Sequence, residues 1–207
     1  MTNEASKGSA ARGQIYSLLA MFFRKPLDAP KLERLRAPKM LAAMKAAGIN
    51  LDEEFINLDV NELCEILSVD FTHLFHGPEN KIMPYECIMI GEGTDLRGAA
   101  TQRVQEFMAN VGYSVASESG EQTDHVSVEL AFMADLAMRE YEAVESEDQV
   151  LATRSREIQD RFLEEHLSQW ANLFAAKVKD RAQTKFYASI ADFTADLVAL
   201  DRKKDAA

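Results

Sequence analysis

The amino-acid sequence predicts an all-α protein. Residues 121–207 contain no glycine and no proline, so this part of the chain lacks the residues that punctuate strands and hairpins. Apolar residues recur at spacings of three and four in most of the remaining chain, as on one face of an α-helix. Hydrophobic residues make up 47% of the chain and charged residues 28%, which is typical of a globular domain. We therefore predict a helical bundle of about eight to ten helices, in two subdomains joined by a hinge.

The N-terminal region is predicted to begin with a flexible segment, residues 1–8. A first amphipathic helix follows from about Ser9 to Arg24, and Pro26 ends it. Its apolar face comprises Ile15, Leu18, Leu19, Phe22 and Phe23.

A second helical region begins at Asp28, and Pro38 should kink or split it before Gly48 stops it. Asp59 then caps another helix, because its carboxylate can accept a hydrogen bond from the amide of Glu62. The apolar stripe of this helix comprises Leu63, Ile66, Leu67, Phe71 and Leu74.

The stretch from Asp70 to Gly98 holds most of the irregular backbone of the chain. The preceding helix breaks at Gly77-Pro78, and the next one is predicted to start after Gly91-Glu92-Gly93, capped by Thr94 or Asp95. This stretch is typical of a long functional loop on a helical scaffold.

Residues 112–121 are polar, small and bounded by glycine, which predicts a linker. We place an N-terminal subdomain at 9–120, a C-terminal subdomain at 121–202 and a frayed tail at 203–207.

Three helices are predicted in the C-terminal part. One runs from Thr123 to about Val144, with Thr123 or Asp124 as its cap. Ser146 and Gln149 form a capping box for the second, which either breaks near Ser168 or continues to Val178. The last extends from about Gln183 to Leu200.

The composition excludes several classes of protein. With 23 basic and 34 acidic residues the formal net charge is −11, which repels nucleic-acid phosphates and anionic lipid. No apolar run reaches the roughly 20 residues of a membrane span. The N-terminus lacks the apolar core of a secretory signal, so we expect a cytoplasmic protein that binds neither nucleic acid nor membrane.

Metal, nucleotide and nucleophile motifs are missing from the sequence. None of the four histidines has a glutamate three positions before it, as a di-iron helical bundle requires. Cys64 and Cys87 belong to no CxxC or Cys/His array and are expected to be buried thiols. Gly91-Glu92-Gly93 lacks the context of a phosphate-binding loop, and no nucleophile elbow is present.

Asp124-His125 leaves alternatives open. The pair fits a capped helix start with a neutral histidine, and it also fits a polar recognition pair at the mouth of a groove. A helical enzyme or nucleotide hydrolase using Asp124 and His125, or a general helical adaptor, are the competing functions. His166 lies on an apolar stripe with Phe162 and Trp170, which favours a hydrogen-bonded core histidine.

Several motifs in this order resemble the TorD/DmsD/NarJ family of redox-enzyme maturation chaperones, particularly the TorD and DmsD branch. They span about residues 12 to 200 and are Asp70-Phe71-x-x-Leu74-Phe75-x-Gly77-Pro78, Pro84-Tyr85-Glu86, Glu121-Gln122-Thr123-Asp124-His125 and Lys185-Phe186-Tyr187-Ala188. The family motif Glu-Pro-x-Asp-His maps onto Glu121, Asp124 and His125, with Gln122 in place of proline.

The resemblance implies a cytoplasmic, non-enzymatic chaperone of two hinged helical subdomains. Such proteins bind the twin-arginine signal peptide and the apo form of a molybdenum-cofactor reductase, and delay its export until the cofactor is inserted. The implied signal-peptide residues are Phe71, Leu74, Phe75, Pro84, Tyr85, Glu86, Glu121, Asp124 and His125. The implied hinge residues are Gly120, Gln122 and Thr123. No cofactor is required, weak GTP binding is implied, and the protein is either a monomer or a domain-swapped dimer.

The chemistry of the motifs agrees with this implied function. A twin-arginine peptide presents two guanidinium groups followed by an apolar segment, so its site needs acids beside an apolar groove. Glu86, Glu92, Glu121 and Asp124 could supply the negative charge. Phe71, Leu74, Phe75 and Tyr85 could supply the groove.

Overall fold

The computed structural model describes residues 2–78, 81–91, 98–114 and 120–203. Over these ranges the protein is helical, and its only extended pairing is an isolated bridge between Tyr85 and His125. A π-helical turn, Leu163–Leu167, joins α9 to α10 without a break in the helical assignment, so the described chain contains ten helical stretches. The helices are α1 Thr2–Arg24, α2 Ala29–Leu35, α3 Pro38–Ala46, α4 Glu53–Asn57, α5 Val60–Phe75, α6 Glu86–Met89, α7 Ala99–Asn110, α8 Val126–Glu145, α9 Gln149–Phe162, α10 Ser168–Arg181 and α11 Lys185–Lys203. The predicted all-α class and helix number are thus confirmed.

The chain divides into two compact units that differ from the contiguous subdomains predicted at 9–120 and 121–202. The first unit comprises Met1–Arg24, Pro84–Trp170 and Leu200–Ala207, and the second comprises Lys25–Met83 and Ala171–Ala199. Residues on both sides of the predicted linker therefore belong to the first unit. Sequence-local signals mark turns, whereas the division depends on which distant helices pack together. None of the described helices is long and apolar enough to cross a membrane.

Packing of α1 on α8 organises the first unit. Ser9 Oγ donates to a carboxylate oxygen of Glu140 at 2.8 Å, and Tyr16 Oη donates to Asp201 at 2.9 Å. A Cβ on Gly13 would lie 2.9 Å from the Met138 sulfur, so glycine permits the close approach of the two helices. Ser6 Oγ also donates to a carboxylate oxygen of Glu145, so the contact with α8 extends toward the start of α1, which lies at Thr2 rather than near Ser9.

The second unit begins with the elements that the sequence predicted. Asp28 caps α2 by accepting from the amide of Lys31, and Pro38 occupies the first turn of α3. Gly48 follows α3 with φ of 85°, the left-handed conformation that glycine adopts at helix ends. Asp59 caps α5 and accepts from the amides of Asn61 and Glu62. The split at Pro38 and the Asp59 cap are therefore confirmed.

The aromatic residues of α5 lie in the core of the second unit. Phe71, Leu74 and Phe75 are 2%, 1% and 7% exposed. The Phe71 ring centroid lies 4.9 Å from that of Phe75 and 6.0 Å from that of Tyr187, in an edge-to-face and a tilted arrangement. These side chains are consequently packing residues in this structure.

Asp70 ties α5 to the start of α11. Its carboxylate accepts from the backbone amides of Gln183 and Thr184 at 3.0 and 2.8 Å, and from Thr184 Oγ1 at 2.6 Å. The carboxylate is 1% exposed and its two oxygens accept all three bonds. The Asp70 of the sequence motif thus fixes the turn just before a helix that begins more than 100 residues later, where Thr184 Oγ1 accepts from the amide of Tyr187.

The capping box predicted at Ser146 and Gln149 was wrong. Ser146 ends α8 by donating to the carbonyl of Glu142, and Asp148 caps α9 by accepting from the amide of Leu151. The predicted Ser146/Gln149 box fails because Glu147 takes a φ of 61°, which ends α8 and leaves Asp148 at the cap position. The predicted caps Thr94 and Asp95 lie outside the described residues, and α7 begins after Gly98.

Replacement of Asp70 by alanine should destabilise the protein markedly, because its buried carboxylate accepts three hydrogen bonds that join α5 to the turn before α11. Hydrogen bonds to charged groups contribute about 1.5–3 kcal/mol, so we expect a loss of about 2–4 kcal/mol in the free energy of unfolding. Urea denaturation followed by circular dichroism measures this change.

Asp59→Ala serves as the matched control, since Asp59 caps the exposed start of the same helix. Its loss of stability should be clearly smaller. Equal losses in the two variants would contradict the role given to Asp70.

Candidate functional site

Two segments that are distant in the sequence lie side by side in the first unit. Pro84 O accepts from the amide of Val126 at 2.8 Å, and the amide of Glu86 donates to Asp124 O at 2.9 Å. These two bonds flank the Tyr85–His125 bridge. The backbone therefore brings together two of the sequence motifs, Pro84-Tyr85-Glu86 and Glu121 to His125.

Tyr85, Glu121 and His125 form what we call the rim of the site. Tyr85 Oη donates to Glu121 Oε2 at 2.7 Å, and the Tyr85 ring meets the His125 ring edge-to-face at 4.9 Å. His125 Nε2 lies 3.9 Å from the same Glu121 oxygen. Glu121 retains 28% of its side-chain exposure, so the rim presents a carboxylate to solvent.

The hydroxyl of Tyr85 is a donor at all physiological pH values. Burial, followed by its hydrogen bond to Glu121, raises the pKa of Tyr85 well above its ordinary value of 10. The phenol therefore keeps its proton and orients the Glu121 carboxylate.

His125, rather than Thr123 or Asp124, caps α8. Its Nδ1 accepts from the amide of Ser127 at 3.1 Å, so this nitrogen carries a lone pair and the proton of the neutral ring is on Nε2. Thr123 Oγ1 instead donates to the carbonyl of Thr101 at 3.1 Å. The predicted cap was wrong because Asp124 turns inward, although the alternative with a neutral histidine matches the geometry.

Asp124 is fully buried, and its carboxylate bonds to the backbone at the start of α6. Its Oδ2 accepts from the amide of Cys87 at 3.2 Å. Burial, together with the hydrogen bond and charge of Asp124, raises the pKa of Cys87 to about 12. Asp124 thus holds the start of α6 and leaves a neutral thiol beside it.

Glu86 is also buried, and its partner is His166 on the π-helical turn. His166 Nδ1 lies 3.1 Å from Glu86 Oε2 and 3.3 Å from Oε1. His166 is 3% exposed and Glu86 is 2% exposed. His166 is therefore a hydrogen-bonded core histidine, as the sequence predicted, and π-helical turns such as this one are frequent near functional sites.

Glu129 is the buried acid that the sequence analysis missed. It is 0% exposed, and its Oε2 accepts from Trp170 Nε1 at 3.2 Å. Its position could have revealed it, because Glu129 lies three residues after Val126 and four before Met133 on the apolar stripe of α8. An acid on such a stripe needs a buried partner.

The structure separates the nine predicted site residues into two groups. Six lie in the first unit and surround the Tyr85–His125 bridge, while Phe71, Leu74 and Phe75 lie in the core of the second unit. The predicted hinge residues also belong to the first unit, where Gly120 has a φ of 68° and Gln122 accepts from the amide of His125. Glu92 and Gly93 fall outside the described residues.

The site offers recognition groups rather than reactive ones. Asp124 is inaccessible, and the His125 nitrogen that could act as a base is bonded to the start of α8. The described residues contain no group of three metal-ligating side chains. An oriented carboxylate and an aromatic ring at a helix start are features of a binding protein.

Comparison with known proteins identifies the family. Residues 37–176 match the family model described as nitrate reductase delta subunit. The chain is 27% identical to the chaperone protein TorD of Vibrio atlanticus, with 92% of each chain covered. It is 28% identical to TorD of Shewanella piezotolerans over 92% of this chain and 90% of that one. A solved structure provisionally described as a redox enzyme maturation protein from Archaeoglobus fulgidus covers 95% of this chain and 94% of its own, at 21% identity and a TM-score of 0.43.

The chain belongs to the nitrate reductase delta subunit family, and the predicted resemblance to the TorD/DmsD/NarJ group is confirmed. It is a chaperone and not an enzyme, as its relatives are named chaperones.

The two cysteines should differ in their reaction with iodoacetamide at pH 8. Burial raises the pKa of both thiols, but Cys87 is 1% exposed whereas Cys64 is only partly buried, so Cys64 is the accessible one. Mass spectrometry of the native chain should find alkylation at Cys64, and both sites should react after unfolding in urea. Equal labelling of the two thiols in the native protein would contradict the buried Asp124–Cys87 contact.

Proposed function

We propose that this protein is a cytoplasmic, system-specific chaperone that binds the twin-arginine signal peptide and the apo form of a molybdenum-cofactor reductase. It assists insertion of the cofactor and delays export until insertion is complete. Membership of the family supports the chaperone role, and the rim supports peptide recognition. The observation that carries the proposal is the partly exposed Glu121 carboxylate, oriented by the Tyr85 hydroxyl at 2.7 Å.

Glu121 fits the recognition of a guanidinium group. A carboxylate can bind arginine through two parallel hydrogen bonds, and such charge-assisted bonds are stronger than neutral ones. Tyr85 occupies one Glu121 oxygen, which fixes the carboxylate plane and leaves acceptor capacity for a peptide arginine. The Tyr85 ring is also available to stack on a guanidinium.

The buried acids have a different part in this proposal. Glu86 and Asp124 hold the backbone segments that carry Tyr85 and His125, so they support the rim without touching the peptide. The net charge of −11 attracts a basic peptide over longer distances, and salt should slow this encounter.

Phe71, Leu74 and Phe75 remain proposed contributors to binding of the apolar part of the signal peptide. Their burial means that direct contact requires their side chains to become accessible. Phe75→Ala would cost about 3–5 kcal/mol of stability if its role is packing alone. A thermal melt run beside the binding assay separates the two roles.

The finer features implied by the family resemblance complete the proposal. These are a hinge at Gly120, Gln122 and Thr123, weak GTP binding, and a monomer or domain-swapped dimer. Equilibrium dialysis with GTP and light scattering of the purified chain test the last two.

Glu121→Gln should weaken binding of a twin-arginine signal peptide about tenfold, equivalent to about 1.4 kcal/mol, because it removes one charge-assisted bond. Isothermal titration against the signal peptides of the molybdenum-cofactor reductases of the native host measures the affinity. Replacement of the two peptide arginines by lysine should weaken binding to the wild type and have less effect on the variant.

Glu142→Gln is the matched control, since Glu142 is an exposed acid on α8 of the same unit. Both variants change the net charge by one, so the control retains the long-range attraction and should bind as the wild type does. Absence of saturable binding to every reductase signal peptide would refute the proposed function. Equal losses in the two variants would refute the role of Glu121.

A further inference from the structure

Two carboxyl groups from different elements meet in the core of the first unit. Glu86 is the first residue of α6, and Glu129 lies in the first turn of α8. They are 2% and 0% exposed, and their carboxyl groups are within hydrogen-bonding distance of each other. Two buried carboxylates in contact would repel strongly if both were ionised.

The hydrogen-bond donors around the two carboxyl groups leave one oxygen, Glu129 Oε1, that could carry a proton. Glu86 has a donor in His166 Nδ1, and Glu129 Oε2 has a donor in Trp170 Nε1. Glu129 Oε1 is buried and has no hydrogen-bond partner among the described residues. A proton on this oxygen would let Glu129 donate to Glu86, and every polar atom of the pair would then be satisfied.

The surroundings of Glu129 favour the protonated form. Burial is the main cause of its raised pKa, and the charges of Glu86 on α6 and Asp124 before α8 add to it. His166 on the π-helical turn bonds to Glu86, and the neutral indole of Trp170 closes the other side. The carboxyl groups of Glu86, Glu129 and Asp124 thus outnumber the basic side chain, His166, that could balance their negative charge.

We propose that Glu86 and Glu129 share one proton, and that this proton makes Glu129 a positioning residue for the rim. Glu86 follows Tyr85 directly, and Glu129 lies one helical turn after His125. The shared proton therefore joins the two backbone segments behind the Tyr85–His125 bridge. His166, the partner of Glu86, also lines a surface cleft of ≈510 Å³.

The shared proton has a defined effect on stability. The pKa of Glu129 is raised in the folded chain above its ordinary value of 4.5. Its contribution is fully present below about pH 4.5 and is lost as the pH rises through the folded pKa. In that interval the folding equilibrium constant should fall by up to about tenfold per pH unit through this group.

Trp170 provides a direct probe, because it is the only tryptophan in the chain and its indole donates to Glu129. Ionisation of Glu129 places a negative charge beside the indole and should change its emission. The intact protein should therefore show an emission transition as the pH rises above the range in which ordinary carboxyl groups titrate.

Glu129→Gln is the decisive variant. Glutamine can donate to Glu86 and accept from Trp170 as the protonated acid does, so the variant should fold and lack the emission transition. Its melting temperature should fall less than that of the wild type as the pH rises. Glu86→Gln, which removes the neighbouring charge, should move the transition to lower pH, and Glu142→Gln should leave it unchanged.

A transition that persists in Glu129→Gln would belong to another group and would overturn the proposal. Absence of any transition in the wild type would overturn it as well. If Glu129→Gln does not fold, an unshifted transition in Glu86→Gln overturns it and a downward shift supports it. No peptide is used, so the outcome is independent of the signal-peptide titration.

Discussion

The pairing of residues 84–86 with residues 124–126 is the constraint on which the candidate site depends. Two backbone bonds, of 2.8 and 2.9 Å, join segments separated by some 40 positions, and the regular elements of the described residues are otherwise helices. An exposed pair of short extended segments would be marginal in water. Here the pairing is held by buried side chains, because Asp124 bonds the amide of Cys87 and Glu86 bonds His166.

This arrangement explains why the motif residues differ so widely in exposure. Asp124 and Glu86 are nearly inaccessible, while Glu121 and Tyr85 reach the surface. A buried carboxylate without partners is costly, so these acids can be kept only where donors meet them. The interior of the first unit thus positions the rim, and the rim can present charge and an aromatic ring to a partner.

The sequence predicted the fold well because helix period and helix stops are local properties. Pro38, Gly48 and Asp59 act through their own turns and were located correctly. The sites of long-range contact were harder to predict. Asp70 stands in a motif that suggested a surface role, yet its buried carboxylate holds the turn that precedes α11, and nothing local indicates that partner.

The candidate site was predicted only in part for the same reason. Spacing and resemblance located Tyr85, Glu121 and His125, but could not tell which motif acids point inward. Glu129 belongs to no motif, and its importance follows from the proximity of Glu86 and Trp170. Phe71 and Phe75 belong to a motif but are buried in the core, because a motif of aromatic residues is equally compatible with a packed core and with a binding groove.

Mapping of amide chemical shifts by NMR during titration with a twin-arginine signal peptide tests the central claim most directly. The account predicts that the earliest and largest changes occur at the rim, at Tyr85, Glu121 and His125, and that they decrease when the peptide arginines are replaced. Changes confined to the second unit, with the rim unaffected at saturation, would contradict it.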